Sequence, residues 1–297
     1  MGTGTHRTLG PRRPNIARHP GHRGPSPTGA ALLKWTKTRP SRFESRWLSA
    51  DFASEFVREF ASLDGIYSVV YEHEGSVIGC NFLDERGDVR GIGPTAVVPS
   101  APGCGIGRAL MANVLERAGD GNSVRLLQDS FNMGSMSLYA SLGFEVKEPV
   151  ILMRGKPSEE TGSLLGVRPV REDDLEACSR LCHDVHGFDR ERELSDALRL
   201  EGRMPLLRVR DGRIVAYTSG FGTFGHAVAV SDEDMRSMIC AASRSGQDEI
   251  ELLLPTWYSE FLQWCLGRGM SAVKPMTLMV RGGYAKPRGL WVPSVLY

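Results

Sequence analysis

Val97-Val98-Pro99-Ser100-Ala101-Pro102-Gly103-Cys104-Gly105-Ile106-Gly107-Arg108-Ala109 is the stretch on which the fold turns. A β-rich run, Arg90–Val98, leads into it, and Ala109, Leu110, Val114 and Leu115 follow at helical spacing. Three alternating glycines thus stand between a strand and a helix start. Glycine lets the backbone approach closely and aim its N–H groups at an anion, helped by the helix dipole. The turn therefore suits a phosphate or pyrophosphate, although a tight turn with purely geometric glycines reads alike. A Walker A loop would need Gly-Lys-Ser/Thr, whereas Gly107 is followed by Arg108 and Ala109. A Rossmann fingerprint would need glycine at Arg108 and a parallel βαβ unit.

Outward from the turn, the signals do not belong to a Rossmann unit. Ile66–Glu72 and Ser76–Asp84 are β-rich runs joined at Glu74-Gly75, an antiparallel hairpin. Asp51–Leu63, with Phe52, Phe56, Val57 and Phe60 on one face, predicts a short helix before it. Downstream, Val124–Leu127 predicts a strand, Asn132–Leu142 a helix and Phe144–Met153 a last strand.

With both flanks in place, the chain resembles the GNAT superfamily of N-acetyltransferases. Val97-Val98-Pro99 with Gly103, Gly105 and Gly107 is similar to that superfamily's acyl-CoA loop. Asn132-x2-Ser135-x2-Leu138-Tyr139-x3-Gly143-Phe144 is similar to its second signature. The resemblance covers roughly residues 66–154. It implies an α/β fold (α+β, mixed sheet) with a central mixed β-sheet flanked by helices, and acetyl-CoA as co-substrate. Carried over residue by residue, it implies that Val97, Val98, Gly103, Cys104, Gly105, Ile106, Gly107, Arg108, Asn132 and Ser135 bind the cofactor. It implies Tyr139 as the acid that protonates the departing thiolate. Pro102 departs from the pattern, where Gln or Arg is usual, and removes one backbone donor.

The second half repeats the first in part. Leu126, Leu127, Gly143, Pro149, Leu152 and Met153 recur 126 residues later as Leu252, Leu253, Gly269, Pro275, Leu278 and Met279. Asp211-Gly212 reads as a second hairpin turn. After the β-rich run near Ala227–Val230 there is no glycine turn. Ser231-Asp232-Glu233-Asp234 caps a helix there, placing three carboxylates where a pyrophosphate would dock. The expected organisation is a basic tail (1–43), a GNAT domain (44–156), a linker (157–163) and a GNAT-like domain lacking the pyrophosphate loop (164–297). The tail, rich in Gly, Pro and Arg without apolar period, is expected to be disordered.

The 297 residues carry a net charge of +1. Nine of the 36 basic residues and no acid lie in 1–43, so the remainder is acidic by eight charges. Such a body excludes a uniformly basic nucleic-acid binder and favours a cationic amine acceptor. No apolar run reaches the ~20 residues of a membrane span. Six cysteines without a CxxC pair suit thiols in a reducing cytoplasm. Cys178, Cys182, His183 and His186 have metal-like helical spacing, but the cysteines belong to an apolar stripe and no metal is expected. Trp257, Tyr258, Phe261 and Trp264 read mainly as helix packing.

An amine with pKa near ~10 must lose a proton before it attacks, so a base is needed. Asp129 and Asp84, at strand ends, are the weak candidates. Cys104 has no sequence-local His partner, which disfavours an acyl-cysteine route. The expected activity is acetyl transfer from acetyl-CoA to a primary amine, by direct attack in a ternary complex. A non-catalytic acyl-CoA sensor is the alternative, and a homodimer is compatible with either.

Overall fold

The structure, a computed structural model, describes residues 16–18, 60, 62–98, 105–158, 164–247 and 249–297. Gly103, Cys104 and Pro102, most of the basic segment 1–43 and most of the linker therefore lie outside the described residues. Residues Ile16–Arg18 form strand β1, which pairs antiparallel with β2 (Ile66–His73). Thus part of the basic segment is sheet, where sequence composition predicts disorder throughout.

β2 turns into β3 (Ser76–Asp84) through Glu74 and Gly75, both at positive φ (49° and 71°). Two left-handed residues make the turn whose twist matches a hairpin. Next come β4 (Val89–Ile92), β5 (Ala96–Val97), α1 (Ile106–Ala118), β6 (Ser123–Asp129), α2 (Met133–Ser141) and β7 (Glu145–Gly155). The run read as one strand over 90–98 is therefore two strands. Gly93, at φ +135°, and Pro94, which has no N–H to donate, interrupt it.

The second half follows with β8 (Val167–Pro169), a 3-10 turn, α3 (Leu175–His186), α4 (Glu191–Ala197), β9 (Leu206–Arg210) and β10 (Arg213–Thr218). Asp211 and Gly212 make its hairpin turn at φ 53° and 73°. Then come β11 (Ala227–Ala229), α5 (Asp232–Arg244), β12 (Ile250–Pro255), α6 (Ser259–Gly267), β13 (Ser271–Arg281) and β14 (Leu290–Val292). The offset of 126 now extends to element boundaries: α1 maps onto α5, α2 onto α6 and β7 onto β13, end for end. Gly143 and Gly269 follow equivalent helices at the same φ, +87°, the left-handed position that glycine fills after a helix.

The halves exchange their last strands. One sheet runs β1-β2-β3-β4-β6-β13-β7-β12, with β5 on β3; a second runs β14-β11-β10-β9-β8. β13 lies between β6 and β7, and β7 between β13 and β12. The exchange has the register of a local two-fold: Val150 pairs with Met276, its own repeat counterpart. The pairing Leu253↔Leu152 likewise repeats Leu127↔Leu278. The linker at 157–163 is therefore a boundary in sequence, while the sheet runs across it.

Apolar side chains explain why the strands settle there. Val150, Leu152, Leu278 and Val280 join Leu127, Phe82 and Cys80 in one core on the sheet face that carries α3 and the last residues of the chain. Leu126, Val124 and Met279 point to the other face, under α1 and Tyr139. The packing at Gly91 is closest: a Cβ there would stand 1.7 Å from the Leu296 carbonyl oxygen. Gly91→Ala is accordingly expected to lower the melting temperature by several degrees, by expelling 295–297 from β4. An unchanged thermal transition would refute this contact. Among the described residues no helix is long and apolar enough to cross a membrane.

Candidate active site

The site begins as a fork in the sheet. β4 pairs in parallel with β6 through Val89↔Ser123, Arg90↔Val124 and Gly91↔Arg125, and the ladder then stops. β5 stays on β3, through Gly79↔Val97 and Cys80↔Ala96, and the Val98 N–H donates to the Ile78 carbonyl at 2.9 Å. Among the described residues no strand pairs with the other edge of β5. That edge and the far half of β6 frame a gap that an extended chain bearing amides can enter by strand-like pairing.

At the open end of the fork α1 starts from Gly105, its N-cap, at φ +73°. The first turn of α1 holds no acid, and Arg108 stands in it, its Nη2 donating to Ser141 Oγ at 2.7 Å. The N–H groups of a helix start, the positive end of the dipole and a guanidinium suit a phosphate-bearing ligand. Ile106 is buried beneath the turn and Val97 is half-buried. Gly105→Asp forces a side chain into left-handed backbone and adds a negative charge to an anion site. We expect calorimetry to show CoA affinity reduced by about tenfold or more; unchanged affinity would exclude this helix end as the phosphate site.

Tyr139 is buried on α2, edge-on to Phe144 with ring centroids 6.2 Å apart. Its hydroxyl hydrogen-bonds with Thr95 and Ser135. Thr95 Oγ1 in turn donates to Oδ1 of buried Asn81 at 2.8 Å, which also accepts from the Phe82 N–H at 2.9 Å. Burial raises the Tyr139 pKa, with the Thr95 and Ser135 bonds acting the other way, so the phenol is protonated at neutral pH. Sequence reading missed Asn81 and Thr95. The signal was an asparagine at an inward position of an otherwise apolar strand. Asn132 is the N-cap of α2, its Oδ1 accepting from the Ser135 N–H at 3.1 Å.

The two carboxylates expected as bases have other partners. Asp84 accepts from Arg86 through both oxygens (Nε at 3.0 Å, Nη2 at 2.6 Å), and Arg86 also bonds Asp196 at 2.9 Å. Asp84 lies four residues along β3 from Cys80, which pairs with β5, or about 13 Å away. It is a buried ion-pair residue remote from the fork, and the structure corrects the expectation of a base there. Asp129 accepts from Lys274 Nζ at 2.5 Å. Strand exchange delivers that lysine.

A third carboxylate, which sequence reading passed over, is Glu148 on β7. It is 6% exposed, and neither carboxylate oxygen has a hydrogen-bond partner. Burial pushes its pKa up to about 7, against the pull of Lys286 and Arg125. Its signal in the sequence was alternation: Glu148 shares its strand face with Val150 and Leu152.

The second half keeps the scaffold and replaces these groups. At the offset of 126, Gly105 becomes Ser231, Gly107 becomes Glu233, Arg108 becomes Asp234, and Tyr139 becomes Cys265. Only residues 230 and 231 separate β11 from α5, against 98–105 between β5 and α1. Asp234 is fully buried and pairs with Arg208 and Arg210, each at 3.2 Å. The Cys265 thiol is buried and its pKa pushed up to about 12. β14 pairs with β11, through Val228↔Trp291, and packs beside β12, so it occupies the gap that the fork leaves open in the first half.

Cys178 and Cys182 are core residues whose burial pushes both thiols up to about 12. Among the described residues no group of three His, Cys, Asp or Glu side chains could hold a metal ion. Phe261 is buried and stacks on Trp264 at 5.6 Å, whereas Trp257 is half-buried under Lys286 Nζ, 3.2 Å from the ring centroid.

Residues 32–144 match the acetyltransferase (GNAT) family. No match to a curated protein was found. Among solved structures, a candidate acetyltransferase from Pyrococcus horikoshii superimposes with a TM-score of 0.73 at 16% identity, over 97% of each chain. A GCN5-related N-acetyltransferase from Sphaerobacter thermophilus gives 0.57 at 16% identity, over 91% of this chain and 96% of that one. A tandem GNAT protein from the clavulanic acid biosynthesis pathway gives 0.55 at 12% identity, over 92% and 100%. These likenesses concern the fold and extend it to the whole tandem arrangement. The fork and the helix end thus fall in or beside the part of the chain, 32–144, that is similar to the acetyltransferase (GNAT) family, and the whole chain shares the fold of tandem GNAT proteins.

Proposed function

We propose that the first half transfers the acetyl group of acetyl-CoA to a primary amine, and that the second half binds no acyl-CoA of its own. The open fork next to an acid-free helix end carries the first part of this reading. The filled gap and the carboxylates at Ser231–Asp234 support the second.

In the proposed reaction Gly105, Gly107 and Arg108 hold the phosphates through N–H groups and charge. The backbone of Val97 and Val98 pairs with the amide-bearing arm and orients the thioester. Glu148 takes the proton of the arriving ammonium, leaving the neutral amine to attack the acetyl carbon. As the C–S bond breaks, Tyr139 gives its proton to the sulfur; the nitrogen of the new amide loses its extra proton to solvent, from which Tyr139 is reprotonated, and Glu148 releases the ammonium proton to solvent. A thiol-release assay over a panel of amines tests the reaction; no release with any amine would leave the sensor reading in its place.

Glu148 makes a separate stability prediction. Its pKa stands near 7 in the folded protein and in the ordinary range near 4.5 in the unfolded chain. Stability from this group is therefore full below pH 4.5 and is lost as pH rises through 7. Glu148→Gln removes a cost of about 3 kcal/mol at pH 8 and little at pH 4.5. Thermal unfolding should show the variant several degrees more stable at pH 8 and similar to the parent near pH 4.5. Equal destabilisation at both would mean that Glu148 is paired in the folded state.

A further inference from the structure

Glu148 and Lys274 are repeat counterparts, yet only one is satisfied. Lys274 meets Asp129, whose own counterpart is Pro255, a residue with no side-chain donor for Glu148. The exchange that neutralises one side of the local two-fold thus leaves the other side open.

Around the unpaired carboxylate the orphaned groups are donors. Buried Arg125, 4% exposed, has Nη1 without a hydrogen-bond partner and lies over the rings of Tyr297 (4.1 Å), Phe188 (4.9 Å) and Tyr284 (5.2 Å). The Tyr284 hydroxyl and Trp257 Nε1 are likewise buried without a partner. The charged and titratable groups that act on Glu148 or are acted on by it are Arg125, Lys286, Tyr258 and Tyr297. Buried polar atoms are almost always paired, so this many in one neighbourhood mark a place where something else binds.

The inventory states what that ligand must carry. Glu148 offers two acceptor oxygens and no donor when ionised. Arg125, Lys286 and Trp257 offer only donors, and Tyr284 offers one. A plain polyamine would satisfy Glu148 and meet two cations. A plain carboxylate would leave Glu148 orphaned. A small molecule with both an ammonium and a carboxylate satisfies both sets. The location fits as well. Arg125 is the residue at which the β4·β6 ladder ends, so the cluster borders the fork. The exposed loop around Lys286, with half-buried Tyr284 and Trp257, forms its outer rim.

Resting on the acetyltransferase reading, we infer that Glu148, Arg125, Tyr284 and Trp257 form the acceptor site, and that the acceptor is a small zwitterion of amino-acid type. Its ammonium bonds to Glu148 and its carboxylate to Arg125, Tyr284 and Trp257. The whole-chain charge, which favoured a cationic acceptor, is overruled locally by two cations against one acid.

Calorimetry with the full chain and saturating CoA tests this, using L-lysine, L-glutamate, glycine, their carboxamides, and spermidine as probes. At least one free amino acid should bind, and its carboxamide should bind tenfold or more weakly. Tyr284→Phe and Glu148→Gln should each weaken the free acid several-fold, with circular dichroism unchanged. Tyr284 guards against the case in which a buried variant misfolds. The inference is overturned if spermidine and the carboxamides bind as well as the free acids, if no amino acid binds, or if both variants bind like the parent. Thiol release separates the two readings. Amino-acid binding without any acetylation would sink the acetyltransferase reading and keep the site; acetylation confined to amines lacking a carboxylate would do the reverse.

Discussion

Tyr139→Phe is expected to lower kcat by about 100-fold or more while leaving the affinity for CoA unchanged, since a positioned general acid contributes roughly that much. The surroundings of the phenol account for this. It is buried, protonated at neutral pH, and tied through Thr95 to Asn81 on β3. Removing one oxygen preserves the ring's packing on Phe144 and the helix around it. The loss should therefore appear in kcat, with melting temperature nearly constant. Asn81→Asp acts on the same chain from below, by placing a charge beside Thr95, and should reduce kcat less. Full turnover by Tyr139→Phe at saturating substrate would remove the tyrosine from the reaction and make it a wall of the fork.

Cutting the chain in the linker has an all-or-none effect. Among the described residues β7 pairs with β12 and β13, both from the second half, and β13 with β6 and β7, both from the first. A fragment ending at 158 strips β7 of both its native partners, and exposes Val150, Leu152 and Leu127 that the second half covers. Each unmade buried backbone bond costs on the order of 1–3 kcal/mol, and the stranded ladders hold several. Against a total stability of about 5–15 kcal/mol, neither half should exist as a folded monomer. Expressed together, residues 1–158 and 159–297 should assemble and regain CoA binding. Size-exclusion chromatography and thermal unfolding of the first fragment decide the point: a cooperative, monomeric transition would show that the exchange is dispensable.

Much of this architecture is readable in the sequence. The helix start at Gly105, the hairpin at Glu74-Gly75 and the helix through Tyr139 lie where local chemistry put them, because left-handed turns and helix starts depend on near neighbours. Six matched residues were enough to reveal the repeat, most of them core positions and one the glycine that follows a helix. Strand exchange was not readable. β7 and β13 would look the same paired within their own halves, since their alternation sets a face and not a partner. The partners of the expected carboxylates were not readable either. Asp84 and Asp129 look solvated in sequence, and it is Arg86 and the distant Lys274 that engage them. Glu148, between Lys147 and Pro149, resembles a surface residue until the second half covers it. Local chemistry was legible; contacts across 100 or more residues were not.

The central claim is that the fork in the first half carries acetyl transfer. Mass spectrometry of the full-length protein incubated with acetyl-CoA and the amine panel, run beside the Gly105→Asp variant, tests it most directly. The parent protein should form an acetylated amine in step with free CoA, and the variant far less at limiting acetyl-CoA. Tight binding of acetyl-CoA with no acetylated product from any amine would contradict it.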